Sequence, residues 1–270
     1  MAITPEPVYL MLGDSIFNGE ITTDIIADLK SARLGSGRSS IQKVWNRQTS
    51  NRETYNPATN GNRSGTLVTL AGPEISITAE LALDHPTGFT LVKRACFSSA
   101  MATPNLSYVD ISDSAVGGTW APTTSSQNWD EFVTDVDAAM ADIAADGSYP
   151  DILGVFVCLG DNDASSSPSA FEAGLPAFIT AIRSAFTTRT TGDPLPIVWR
   201  RPQPSTSLGT DANRGLVRAA LTAQARRDSR LRLVDVDDLE RSSSDNIHET
   251  PLSSIESGRR LAVEMRRMVR

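Results

Sequence analysis

A chain of 270 residues, 40% hydrophobic and 21% charged, is long enough to bury a sizeable core and has the composition of an ordinary globular protein. Its net charge of −7 leaves no basic stripe to displace counterions from nucleic acid and disfavours anionic membrane surfaces. The amino terminus, Met1-Ala2-Ile3-Thr4-Pro5-Glu6-Pro7, has neither the basic nor the apolar part of a secretory signal, and no segment is apolar for long enough to span a bilayer. The expected location is therefore the cytoplasm, or a virion or other particle that leaves the cell.

In chain order, the apolar run Val8–Leu12 reads as a strand that stops at Gly13-Asp14-Ser15. A helix is expected within Asn18–Ser31, followed by a Gly/Ser/Asn/Arg-rich stretch from Arg33 to Ser64 with little periodicity, the kind of long loop that is often functional. Gly72-Pro73-Glu74 opens a second helix that runs to about Leu83, and Phe89–Phe97 reads as a second strand. A polar excursion from Ser98 to Gln127 contains Gly117-Gly118-Thr119-Trp120. Trp129–Ala145 has the apolar spacing of an amphipathic helix, and Ile152–Leu159 reads as a strand buried on both faces. A helix from Ser167-Pro168 to about Phe186 is expected to kink near Pro176. Strand Leu195–Trp199, a helix capped by Asp211, strand Leu231–Val236 and a last helix over about Leu252–Val269 complete the chain. Five strands alternating with helices predict one doubly wound α/β domain over residues 1–270, with a five-stranded parallel sheet flanked by helices.

Cys96 and Cys158 each lie inside an apolar strand-like run, which predicts buried free thiols and no disulfide. Their spacing is not that of a metal site. The basic residues are arginine apart from Lys30, Lys43 and Lys93.

Chemistry in such sheets collects at the carboxyl ends of the strands. Three polar clusters are placed there: Gly13-Asp14-Ser15, then Gly160-Asp161-Asn162-Asp163, and Asp245-Asn246-Ile247-His248. Serine at neutral pH needs a base within hydrogen-bond reach, and histidine suits that role. Of the two histidines, His85 precedes Pro86 at an expected surface helix end, which leaves His248. Asp245, three residues earlier, can accept the imidazole N–H and hold its tautomer. Acyl transfer also needs donors aimed at the oxyanion, each worth on the order of 3–4 kcal/mol of barrier. The Ser15 N–H and the Asn162 side chain are natural donors.

Taken in this order, the three clusters resemble the motifs of the SGNH (GDSL-like) hydrolase superfamily. The resemblance implies a flavodoxin-like SGNH fold with Ser15 as nucleophile, His248 as general base and then acid, Asp245 as its orienting carboxylate, and Ser15 N–H and Asn162 as oxyanion donors. A narrower similarity, to the sialate O-acetylesterase-related carbohydrate esterases, covers most of the chain. It is carried by Gly72-Pro73-Glu74, Leu91-Val92-Lys93, Gly117-Gly118-Thr119-Trp120, Gly160 to Ala164, Asp245-x-x-His248 and Gly258. Those esterases usually have Gly-Gln-Ser and Gln-Gly-Glu-Ser-Asp where this chain has Gly-Asp-Ser and Gly-Asp-Asn-Asp. The remaining oxyanion donor is Gly117 or Gly118 by motif, Ser98 by position.

The resemblance implies a serine esterase that needs no metal or cofactor and removes a small acyl group, acetyl above all, from a carbohydrate. Asp14, Asp161 and Trp120 are candidates to touch that substrate, and Trp45, Tyr55 and Trp129 could stack on a sugar face. A lipase or thioesterase of the same superfamily is the alternative within enzymes. The alternative from another class is a glycan-binding or structural component of a phage tail or surface assembly, which the missing signal sequence motivates. No nucleic-acid or membrane partner is expected; a homo-oligomer or a place in a larger particle stays open.

Overall fold

β1 (Pro5–Gly13) occupies the middle of the sheet because it is apolar on both faces: Val8, Leu10 and Leu12 pack into the core on one side, Tyr9 and Met11 on the other. The computed structural model describes residues 5–18, 42–46, 50–54, 72–95, 100–101, 120–122, 127–187 and 193–270. Within them the strands are β1, β2 (Gln42–Asn46), β3 (Asn51–Thr54), β4 (Phe89–Ala95), β5 (Tyr149–Cys158), β6 (Ile197–Arg200) and β7 (Leu231–Val234). The helices are α1 (Ser15–Asn18), α2 (Glu74–Leu81), α3 (Gln127–Ala145), α4 (Asp161–Ser166), α5 (Pro168–Ala185), α6 (Asp211–Arg227) and α7 (Pro251–Val269).

The strands form one sheet in the order β3-β2-β4-β1-β5-β6-β7. The five expected strands, β1, β4, β5, β6 and β7, are parallel to one another, with helices on both faces. At one edge β2 runs parallel to β4, and β3 runs antiparallel to β2. Both lie in the stretch where periodicity is weak, and charge anchors β3. The Arg52 guanidinium, almost wholly buried, pairs with Glu6, Asp142 and Asp146. The helix expected within Asn18–Ser31 and most of the Ser98–Gln127 excursion lie outside the described residues, as does Cys96. Cys158 is a buried free thiol.

One core joins the sheet to α3, α5 and α6 through residues such as Phe132, Val136, Phe171, Phe178, Trp199, Val217 and Leu221. The second joins the other face to α2 and α7 through Ile77, Leu81, Leu261, Ala262 and Met265. The helices α2 and α7 pack closely because residue 258 is glycine: a Cβ there would collide with the Pro73 carbonyl and the Ser76 hydroxyl. Helix α5 passes through Pro176 without ending, and the cap of α6 is Thr210, whose hydroxyl accepts from the Asn213 amide at 3.2 Å; Asp211, expected as the cap, lies in the first turn. Among the described residues no helix is long and apolar enough to cross a membrane.

This order decides where a ligand can reach the protein. From β1 the chain builds β2 and β4 to one side and β5, β6 and β7 to the other. The carboxyl end of β1 is therefore the topological switch point, the place where open α/β sheets bind their ligands. Gly13, its last residue, pairs with Ala95 and Cys158.

Candidate active site

Ser15 is the first residue of α1, directly past the switch point, and is partly exposed. Two bonds make the turn that presents it. The Asp14 amide donates to the Cys158 carbonyl at 3.0 Å, which ties the turn to the end of β5. Asp14 Oδ1 accepts the Ile16 amide at 3.1 Å, satisfying one of the free N–H groups at the start of the helix.

Asp245 and His248 approach Ser15 from the loop between β7 and α7. That loop closes on itself: the Ser242 amide donates to the His248 carbonyl at 2.8 Å, and Arg241 and Glu249 form an antiparallel bridge. Asn246 takes a left-handed backbone (φ 55°), which asparagine tolerates better than most side chains. The tight turn brings the Ile247 and His248 amides onto Asp245 Oδ1 at 2.8 and 3.1 Å. The other oxygen, Oδ2, lies 2.5 Å from His248 Nδ1, and His248 Nε2 lies 3.0 Å from Ser15 Oγ. Burial pushes the Asp245 carboxyl up, but the two amides and the imidazole outweigh it and hold it below the usual carboxylate range. An ionised Asp245 fixes the proton on Nδ1 and leaves Nε2 free to accept from the serine hydroxyl. This is the geometry that general-base activation of a serine requires.

Asn162 lies in the first turn of α4, immediately beyond β5, and is largely buried. Its backbone carbonyl accepts the hydroxyls of Ser165 and Ser166 at 2.8 and 3.0 Å. Gly160 makes the turn into α4 with φ 119°, and a Cβ there would press on Val217 and Pro202. Asp163 is fully buried and accepts the Met101 amide at 2.9 Å, which pins the start of the polar excursion beside the site. Gly117, Gly118 and Ser98, the candidates for the remaining oxyanion donor, lie outside the described residues, as does Tyr55.

Five residues expected to touch substrate, three tryptophans and two aspartates, are buried instead. Trp120 is fully buried, with its ring set edge-on against Phe132, so no face is left for a sugar. Trp45 and Trp129 are core residues too, and Trp129 packs on Phe178 and Phe186. Asp14 and Asp161 point inward, at 0% and 2% exposure. A tryptophan within a polar stretch can still be the residue that anchors that stretch to the core, which single-sequence reading does not reveal. His85, expected at the surface, is half-buried, and its Nε2 is hydrogen-bonded to the Tyr9 hydroxyl at 2.8 Å.

Beneath the loops lies a group of charges that motif reading missed. Asp161 Oδ1 accepts Arg214 Nη1 at 2.7 Å, and its Oδ2 lies 3.3 Å from Arg200 Nη1. Arg200 Nε donates to Glu249 Oε1 at 2.9 Å. All of these side chains are buried. Burial, reinforced by the charge of Asp161, pushes the Asp14 carboxyl up to about 8. The signal available in the sequence is an arginine ending an apolar strand at the motif-bearing edge of the sheet, with an acid directly after His248. Asp14, Cys158 and Asp161 each bring one donor atom to within 4.8 Å of the others, a spacing that suits a cation. The Arg200 guanidinium, 4.0 Å from Cys158 Sγ, supplies positive charge there.

No protein-family model and no curated protein matches the sequence. Solved structures do match, over nearly the whole chain. A protein from Arabidopsis thaliana superposes with a TM-score of 0.71 at 14% identity, covering 98% of this chain and 100% of its own. A carbohydrate acetylesterase from Sinorhizobium meliloti gives 0.57 at 11% identity over 97% and 100%. The aryl esterase of M. smegmatis gives 0.54 at 14% identity over 97% and 99%. At such identities the likeness speaks for architecture alone, a parallel sheet flanked by helices: this chain has the SGNH-hydrolase fold.

Proposed function

We propose that the protein is a serine esterase that removes a small acyl group, acetyl above all, from a carbohydrate through an acyl-enzyme. The observation that carries this reading is the unbroken relay from Ser15 Oγ through His248 to Asp245, at 3.0 and 2.5 Å, set at the switch point of the sheet. The esterases among its structural neighbours support the reaction class, and the carbohydrate acetylesterases among those support the acceptor.

In this mechanism His248 Nε2 takes the Ser15 hydroxyl proton as Oγ bonds to the ester carbonyl carbon. Asp245 stabilises the imidazolium that forms, and the tetrahedral oxyanion rests on the Ser15 N–H and the Asn162 side chain. His248 then returns the proton to the departing sugar oxygen, the carbon–oxygen bond breaks, and the acyl group stays on Ser15. Water attacks that ester with His248 as base again, releasing the carboxylic acid and restoring the serine.

A fluorophosphonate probe is expected to label the wild type and not Ser15→Ala, whose kcat on nitrophenyl acetate should fall on the order of 10⁴–10⁶-fold. Labelling that survives the substitution would remove Ser15 from the mechanism. Acetate should turn over faster than butyrate or octanoate; the reverse order favours a lipase or thioesterase. Acetate release from acetylated oligosaccharides tests the acceptor, and glycan binding without any turnover favours the binding-module reading.

A further inference from the structure

We infer that Arg200 is a positioning residue, whose guanidinium grips the carboxylates next to His248 and Asn162 and so holds the base and the oxyanion donor in register with Ser15. The inference rests on the esterase reading of the site.

Each cluster carries an acid beside its working residue: Asp14 before Ser15, Asp161 before Asn162 and Glu249 after His248. All three side chains turn inward beneath the site. Arg200 ends β6, and its side chain lies between two of them. Nε donates to Glu249 Oε1 at 2.9 Å and Nη2 stands 2.8 Å from the same oxygen, while Nη1 is 3.3 Å from Asp161 Oδ2. A planar fork can meet two carboxylates at once from one rigid strand end, which an ammonium cannot do. Arg214 secures the other oxygen of Asp161 and also donates to the Gln203 and Leu208 carbonyls, so the loop after β6 joins the same assembly.

The contacts divide the acids of the three clusters into two kinds. Asp14 contacts neither cation directly, and its Oδ2 has no hydrogen-bond partner among the described residues. The two arginines serve the two carboxylates they touch, one on each flanking loop.

The geometry of the His248 loop explains why this should matter for turnover. Its own bonds hold Asp245 and His248 together, so the pair moves as a unit. Glu249 is the residue next to His248 that fastens this unit to the sheet. A shift of the unit by about 1 Å would carry Nε2 away from Ser15 Oγ, and displacements of that size cost about 10²-fold in rate.

The test uses Glu249→Gln and Arg200→Lys in the full chain, with Arg201→Lys, whose side chain lies outside this network, as control. Each of the first two is expected to lower kcat on nitrophenyl acetate about 10²-fold with KM within about twofold of wild type. Fluorophosphonate labelling of Ser15 should slow in step, the combined variant should be no slower than the slower single one, and Arg201→Lys should match wild type. The low-field proton resonance of the His248 Nδ1–H should broaden or shift in Glu249→Gln in protein whose circular dichroism is native. If Arg200→Lys does not fold, Glu249→Gln decides alone. Wild-type kcat and an unmoved resonance in folded Glu249→Gln would overturn the inference while leaving the esterase reading intact. A wild type that neither turns over nor labels would instead overturn the esterase reading, and the resonance would still report on positioning.

Discussion

The same residue type does different work at two ends of this molecule. Beneath the candidate site, Arg200 and Arg214 are 1% and 0% exposed and their carboxylate partners are equally dry. On α7, Arg260 spans Glu256 and Asp238, and Asp238 is 66% exposed. The bonds are equally short, at 2.6 and 2.7 Å to Asp238 against 2.7 Å from Arg214 to Asp161. Distance therefore says little about what each pair contributes. In water the pair competes with solvent and salt; in the interior an unmatched charge has nowhere to go. The arginine bias of the chain has a structural reading in both places. The fork binds carboxylates two atoms at a time, as in Arg183–Asp228, Arg218–Asp237 and Arg266–Asp84.

The largest expected difference follows from breaking one pair of each kind. Arg200→Met should cost about 3–5 kcal/mol of unfolding free energy, because Glu249 is left buried without its cation and Asp161 keeps only Arg214. Arg260→Met should cost less than about 1 kcal/mol. Urea melts of the two variants at low and high salt check both values, and equal losses would erase the distinction.

A subtler effect separates Asp14 from its neighbours. Its carboxyl is raised to about 8 in the folded protein against an ordinary value of 3.8. A folded-state pKa above the unfolded one means that the group's contribution is fully present below about pH 4 and fades as pH rises through about 8. Asp14→Asn should therefore become progressively more stable than wild type between those limits, with a level difference above them. Thermal melts from pH 4 to 9 measure this, and parallel curves for the two proteins would refute it.

The smallest expected effect lies away from the site, where the Tyr9 hydroxyl and His85 Nε2 share a hydrogen bond. Burial holds the His85 pKa below its ordinary 6.5, so the neutral ring's contribution is present above that pH and lost as pH falls. Tyr9→Phe should cost about 1 kcal/mol at pH 8, and the cost should grow in acid, where the charged imidazolium donates Nε2–H to the phenol oxygen. Melts at pH 8 and pH 5 measure this, and an equal cost at both would show that packing of the Tyr9 ring, and not this bond, is at stake.

Much of the fold is legible in local pattern. β1 and β5 are apolar on both faces, as central parallel strands must be, and the amphipathic spacing of α3 and α7 identifies their buried sides. The edge strands β2 and β3 are not legible in that way. Arg52 and its three distant carboxylates anchor that edge, and ion pairs across 46 to 94 residues leave no local periodicity. The tryptophans of the polar excursions misled for a related reason: a side chain's neighbours in sequence do not reveal its neighbours in space.

The meeting of Ser15, Asp245 and His248 is legible in the sequence because the chemistry proposed for an activated serine admits few residue types and the chain has only two histidines. Parallel strands also send every loop that follows them to one end of the sheet, so the three clusters had to share an end once the strands were recognised. Only the tertiary structure decided what stands beneath them. Arg200 reaches Asp161 and Glu249 across separations of 39 and 49 residues. Burial turns those contacts from surface decoration into a constraint on the site, because burial is a property of the whole packed molecule and is written in no single motif.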